Sequence, residues 1–143
     1  MNTIIFAAAL AWLLAQFTKI LCGRLRYGSR DKPRMLWRLI WAGGMPSAHS
    51  ALITACAVVL LLSCGPHSSI FGLALVLACI VIYDRSRMFA IYRAFQERYP
   101  ALKQEVQSDP VLKDLVGHRL SEIAAGVFIG LCSGFLTMNL FSV

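Results

Sequence analysis

Two segments of this 143-residue chain hold side chains able to do acid–base or nucleophilic work. The first is Gly43-Gly44-Met45-Pro46-Ser47-Ala48-His49-Ser50-Ala51. Its glycines permit a close backbone approach, its proline suits a first helical turn, and the amides that follow attract an anion through their unpaired N–H groups. His49 falls within that turn, where an imidazole could meet an oxyanion. Read alone, the segment could equally be a helix cap beside an interfacial histidine. The second is Gly117-His118-Arg119-Leu120-Ser121-Glu122. His118 and Glu122 are four residues apart and share a helical face, so the carboxylate can reach the imidazole. Such a partner fixes the tautomer of the ring and supports its positive charge during reaction. Taken by itself, H-x-x-x-E is common and reads as a surface pair.

Cations suited to a phosphoryl group recur beside these histidines: Lys19, Arg26, Arg85, Arg87 and Lys113. Arginine clasps phosphate oxygens with a planar fork, and lysine supplies a compact point charge. Most of the fourteen Lys and Arg must still be topology determinants, leaving three or four for a site. Asp84, next to Tyr83, could orient one of them or could simply be solvated.

The elements that must carry these residues are membrane helices. The chain is 58% hydrophobic and 15% charged, with a mean hydropathy of +0.66, which is too apolar for a soluble domain of this size and excludes disorder. Four apolar runs follow one another: Ile4 to Cys22, Ser47 to Ser63, Ser68 to Tyr83 and Ser121 to Phe141. Four crossings of about 20 residues leave little room for anything else, so residues 1–143 form a single domain. Cys64-Gly65-Pro66-His67 makes a tight hairpin of the second and third runs. Gly126, Gly130 and Gly134 in the fourth make a packing face for close helix approach. The expected fold class is therefore an all-α integral membrane protein, a compact bundle of four transmembrane helices.

Every Lys and Arg falls within residues 19–38 or 85–119, and the acidic residues lie in or at the edge of the same windows. Four spans place both windows on one side. The net charge of +7, which in a polar protein would point to nucleic acid, marks that side as cytoplasmic, with both termini outside. Both histidine segments then lie on the cytoplasmic side. Between the third and fourth spans, DRSRMFAIYRAFQERYP spaces Met88, Ile91 or Tyr92, Phe95 and Tyr99 as one apolar face up to Pro100. This predicts a cytoplasmic interfacial helix, an anchor or else a lid or lipid-access surface.

The five cysteines include no C-x-x-C pair and read as small buried hydrophobes. No acidic cluster suits a magnesium-dependent hydrolase, so neither metal nor cofactor is expected. Helices two and three carry no charged residue inside them, which disfavours a proton or ion carrier.

These residues together resemble the phosphatidic acid phosphatase type 2 superfamily, which is related to vanadium haloperoxidases, and most closely its divergent branch of bacterial and plastid membrane proteins. The resemblance covers nearly the whole chain. Lys19 to Arg26 is similar to the superfamily's Lys, six residues, Arg-Pro, with Tyr27 in the proline's place. Pro46-Ser47-Ala48-His49 resembles Pro-Ser-Gly-His, and the branch's Gly-Gly-Met-Pro-Ser-Ser-His-Ser differs here only at Ala48. His118 to Glu122 keeps the final His, three residues, Asp spacing with Glu in place of Asp. Leu112 stands where the superfamily has an arginine six residues before that histidine, and Tyr83-Asp84-Arg85-Ser86-Arg87 replaces the branch's Tyr-Asp and Gly-Val-Arg-Arg.

The resemblance implies a metal-independent lipid phosphate phosphatase with four spans where larger relatives usually have six, so that a homo-oligomer could complete the bundle or the site. His118 would be the nucleophile forming a phosphohistidine, Glu122 would stabilise its imidazolium, and His49 would be the general acid and base. Lys19, Arg26, Ser47 and Arg87 would surround the phosphate. The substrate would be a phosphomonoester or diphosphate of a membrane lipid such as phosphatidylglycerophosphate, phosphatidic acid or a polyprenyl phosphate, in a bacterial inner membrane. The alternative is a non-catalytic membrane module binding anionic headgroups or a membrane partner.

Overall fold

Ser47 starts the central helix by accepting a hydrogen bond from the Ser50 N–H, and Gly65 stops it in the positive-φ conformation (φ 82°) that lets its N–H return to the Leu61 carbonyl. Pro66 follows, and Ser68 caps the next helix by accepting from the Phe71 N–H at 3.3 Å. The computed structural model describes residues 2–27, 44–101, 104 and 118–141. Within them the chain is helical, in the order α1 Thr3–Tyr27, α2 Ala48–Cys64, α3 Ser69–Arg98 and α4 Leu120–Phe141, with no strand among the described residues.

Thr3–Gly23 of α1, α3 and α4 are long and apolar enough to cross a membrane. α2, with 17 residues, is shorter; at 1.5 Å per residue it spans about 25 Å against a hydrocarbon core of about 30 Å. It is also the most enclosed helix, packed against each of the other three. Two small-residue seams let neighbours approach its backbone. Ala7, Ala11 and Ala15 of α1 meet Ala48, Ala51, Ala55 and Val59. On the other flank, a methyl group added to Gly126 or Gly130 would collide with the Ser47 or Ala51 carbonyl, and one on Gly134 would stand 2.6 Å from Val58 Cβ. α3 is the outer helix, burying only Ala74 and Ala78.

The expected interfacial helix is not a separate element: α3 continues without a break from Ser69 through Tyr83 to Arg98. The sequence contains no Gly or Pro between Ile80 and Tyr99, so nothing interrupts the hydrogen-bond ladder where the apolar run ends. Pro100 ends it by driving Tyr99 out of the helical region, to φ −128° and ψ 82°. The amphipathic stretch is the second half of a helix of about 45 Å.

Candidate active site

Two backbone hydrogen bonds draw the two histidine segments and α3 to one end of the bundle. The Ser47 N–H donates to the Glu122 carbonyl at 2.9 Å, so the loop before α2 is bonded directly to the first turn of α4. Gly126, one turn further on, allows this approach, because its missing side chain leaves room for the Ser47 carbonyl. The His118 N–H donates to the Arg85 carbonyl at 3.3 Å and ties the approach to α4 onto α3. Gly44, at φ 95°, and a cis Met45–Pro46 bond shape the loop that delivers Ser47.

Glu122 organises the start of α4. Its Oε2 accepts from the Arg119 N–H at 3.2 Å, as the third-residue acid of a capping box does, and stands 3.0 Å from His118 Nδ1. His118 is 4% exposed. With Nδ1–H donated to the carboxylate, Nε2 keeps the lone pair, which is the form a nucleophilic imidazole requires.

His49 lies on the exposed side of the first turn of α2, within electrostatic range of Arg85, His118 and Lys19. Lys19 is 7% exposed in the last turns of α1, so a cation from a third helix reaches the same end of the bundle. Ser47 is fully buried, and its Oγ accepts from both the Ser50 N–H, at 3.4 Å, and the Ser50 hydroxyl, at 3.0 Å. Its hydroxyl therefore caps α2 before it does anything else.

The remaining expected residues divide. Arg87 stands on α3 with Nη1 donating to Tyr83 Oη at 2.8 Å, on the wall of a groove of about 880 Å³ that His118 and Arg119 also line. Asp84 is exposed, one residue from the Arg85 carbonyl that receives His118. Arg26 lies in the last turn of α1, but its side chain, like Leu112 and Lys113, lies outside what the structure describes. The five cysteines are free, and four of them are exposed on the helices rather than buried as expected. In a chain whose outer surface faces lipid, apolar residues point outward as readily as inward. Among the described residues, no three His, Cys, Asp or Glu converge as a metal site would require.

Sequence reasoning did not find Ser50, the Arg85 carbonyl or the pairing of Arg119 with the Phe89 ring, at 6.0 Å. For Ser50 a signal was present, since it lies three residues beyond the N-cap. The other two depend on how α3 and α4 meet, which no spacing reveals.

The sequence matches the divergent PAP2 family over residues 1–133. The chain belongs to that family. No curated protein and no solved structure matches it. The matched residues include Pro46-Ser47-Ala48-His49 and His118-Arg119-Leu120-Ser121-Glu122, the two segments joined by the Ser47 to Glu122 hydrogen bond. Divergent PAP2 membership and three long apolar helices make this a phosphatase-related membrane protein.

Proposed function

We propose that this divergent PAP2 protein is an integral-membrane lipid phosphate phosphatase working through a phosphohistidine. The observation that carries the reading is the buried His118 held by Glu122 within electrostatic range of His49. His118 Nε2 attacks phosphorus, an N–P bond forms, and the P–O bond to the lipid breaks while His49 gives its proton to the departing alkoxide. Water then attacks the phosphohistidine, His49 takes its proton, the N–P bond breaks, and inorganic phosphate leaves with both imidazoles restored. Glu122 supports the imidazolium of His118. Lys19 and Arg85, the cations that act on His49, hold the equatorial oxygens and stabilise charge there without a metal. Ser47 positions the loop through its cap and can offer the phosphate only its own hydroxyl proton, and the resemblance adds Arg26 to the cations.

The site end of the bundle faces the cytoplasm on this reading, because the basic residues cluster there. A reactive centre at headgroup depth, with the lipid chain among or beside the helices, matches an amphiphilic substrate. Phosphate release from lipid phosphates in mixed micelles tests the proposal. The purified protein hydrolyses them in the presence of chelator, and His118→Ala and His49→Ala each lose at least about 10²-fold in rate. Clean, folded protein that binds these lipids without turnover would instead favour the non-catalytic module, which the leucine at position 112 motivates.

A further inference from the structure

Among the described residues, two buried side-chain atoms have no hydrogen-bond partner: Gln16 Oε1 on α1 and Ser133 Oγ on α4. Gln16 is 4% exposed, and the proposed reaction leaves it unused. An amide oxygen held away from water without a donor costs stability that a methionine or leucine of similar volume would not. Its position in the bundle gives it a use.

α1 runs antiparallel to α2 and α4. Its first turn brings the Phe6 ring to 5.1 Å from Phe141 at the end of α4, and its last turns bring Lys19 within electrostatic range of His49 at the start of α2. Ala7, Ala11 and Ala15 form the seam against α2, and Lys19 is the next residue at that four-residue spacing. Gln16 stands three residues before Lys19, so the two share a helical face about 4.5 Å apart along the axis, with Gln16 the deeper in the bundle. Both side chains are buried.

An ammonium carries three N–H donors and no acceptor. As Lys19 holds the equatorial oxygens of a phosphoryl group, any N–H directed back into the apolar bundle needs an acceptor there. Other acceptors at this end are engaged or turned away. Ser47 Oγ accepts from both the N–H and the hydroxyl of Ser50, Glu122 Oε2 serves His118 and the Arg119 N–H, and Asp84 is exposed on α3. Gln16 Oε1 is neutral, so it can hold the ammonium without cancelling the charge that the phosphate needs.

We propose that Gln16 is a positioning residue for phosphoryl transfer: its Oε1 accepts from the Lys19 ammonium while Lys19 holds the phosphate, and so aims the cation at the equatorial oxygens. The inference rests on the phosphatase reading of the neighbouring histidines. Gln16 touches neither phosphorus nor the leaving group and acts through Lys19 alone.

A double-mutant cycle in the full chain tests it, using a diacylglycerol phosphonate whose carbon–phosphorus bond the histidines do not cleave. Calorimetric titration in micelles measures its affinity, and phosphate release from the matching lipid phosphate measures turnover. Gln16→Met, similar in length but apolar, binds the phosphonate and turns over the phosphate about tenfold less well, with a melting temperature equal to or above the native one. In a chain already carrying Lys19→Met, the same substitution changes phosphonate affinity by less than about twofold. Ser133→Ala is the control. Its hydroxyl is also buried without a partner, but it lies beside Gly134, which meets Val58 about three turns beyond Ser47, and its removal leaves both readouts unchanged. Native-like binding and turnover in Gln16→Met, a loss that persists undiminished in the Lys19→Met chain, or a loss matched by a fall in melting temperature overturns the assignment and leaves the phosphatase reading standing. Gln16→Leu carries the comparison should Gln16→Met not fold. Native protein that shows the coupling in binding yet releases no phosphate overturns the phosphatase reading and keeps Gln16 with Lys19; native protein that neither binds the phosphonate nor releases phosphate overturns both.

Discussion

A single carboxylate oxygen, Glu122 Oε2, serves both His118 Nδ1 and the Arg119 N–H. The two duties separate experimentally. Glu122→Gln keeps an oxygen that can accept from the Arg119 N–H but removes the charge that supports an imidazolium, so the rate of phosphate release falls about 10²-fold to 10³-fold with little change in melting temperature. Glu122→Ala loses the capping contact as well and lowers stability by about 1 kcal/mol, measured by thermal unfolding in detergent. A rate that is unchanged in Glu122→Gln would remove Glu122 from the chemistry. The two histidines also set the pH profile. A mechanism that needs one imidazole unprotonated to attack and another protonated to donate loses kcat/KM on both sides of an optimum. A rate that is flat from acid to alkaline conditions would count against the two-histidine mechanism.

At the scale of elements, the site depends on how closely α2 and α4 approach. Gly126→Ala places a methyl group against the backbone carbonyl of Ser47, which has no flexible end to move, so α2 and α4 must separate and the Ser47 to Glu122 hydrogen bond must lengthen. The expected cost is about 1–3 kcal/mol of stability, with activity lost beyond what stability explains. Gly72 is the control, since an added methyl group there meets nothing within 4 Å. Gly72→Ala leaves activity unchanged and raises helix stability by about 1 kcal/mol at most. If both substitutions behave alike in unfolding and turnover assays, the glycine face does not set the site. α3 contributes differently: its continuation past Tyr83 brings the Arg85 carbonyl to His118 and provides the aromatic rings under Arg87 and Arg119.

At the scale of the whole molecule, the charge distribution makes a topological prediction. With the basic windows inside, the turn at Cys64 faces outward and the end of α3 faces the cytoplasm. In a chain whose other four cysteines are serine, Cys64 reacts with a membrane-impermeant maleimide added to sealed cells. In a chain without native cysteines, Tyr99→Cys reacts only after the membrane is opened. The reverse pattern would turn the candidate site outward and redirect the search for its lipid.

Much of the arrangement was legible in the residues themselves. Helical runs, the Gly65-Pro66 break and the i, i+4 pairing of His118 with Glu122 are local, set by hydropathy, turn chemistry and helical pitch, and all are found in the structure. The glycines at 126, 130 and 134 announced a close approach, and the partner they meet is α2. On α3, Arg87 shares a groove with His118, and Arg85 offers its backbone carbonyl to the His118 N–H. A helix turns by about 100° per residue, so two positions separate neighbours on different faces, and only the packing of α3 against α4 decides which one faces the histidines.

By itself, then, the sequence determined which residues are apolar enough to leave water, where the chain must turn, and which imidazole has a carboxylate in reach. These follow from bonds and spacings within a few residues. Only the tertiary structure decided that Ser47 would be bonded to Glu122, that α3 would run on unbroken to Arg98, and that Arg87 and Arg119 would face each other across a groove. Those outcomes depend on the angles and separations at which helices far apart in the chain come to rest, which small residues permit and no local pattern encodes.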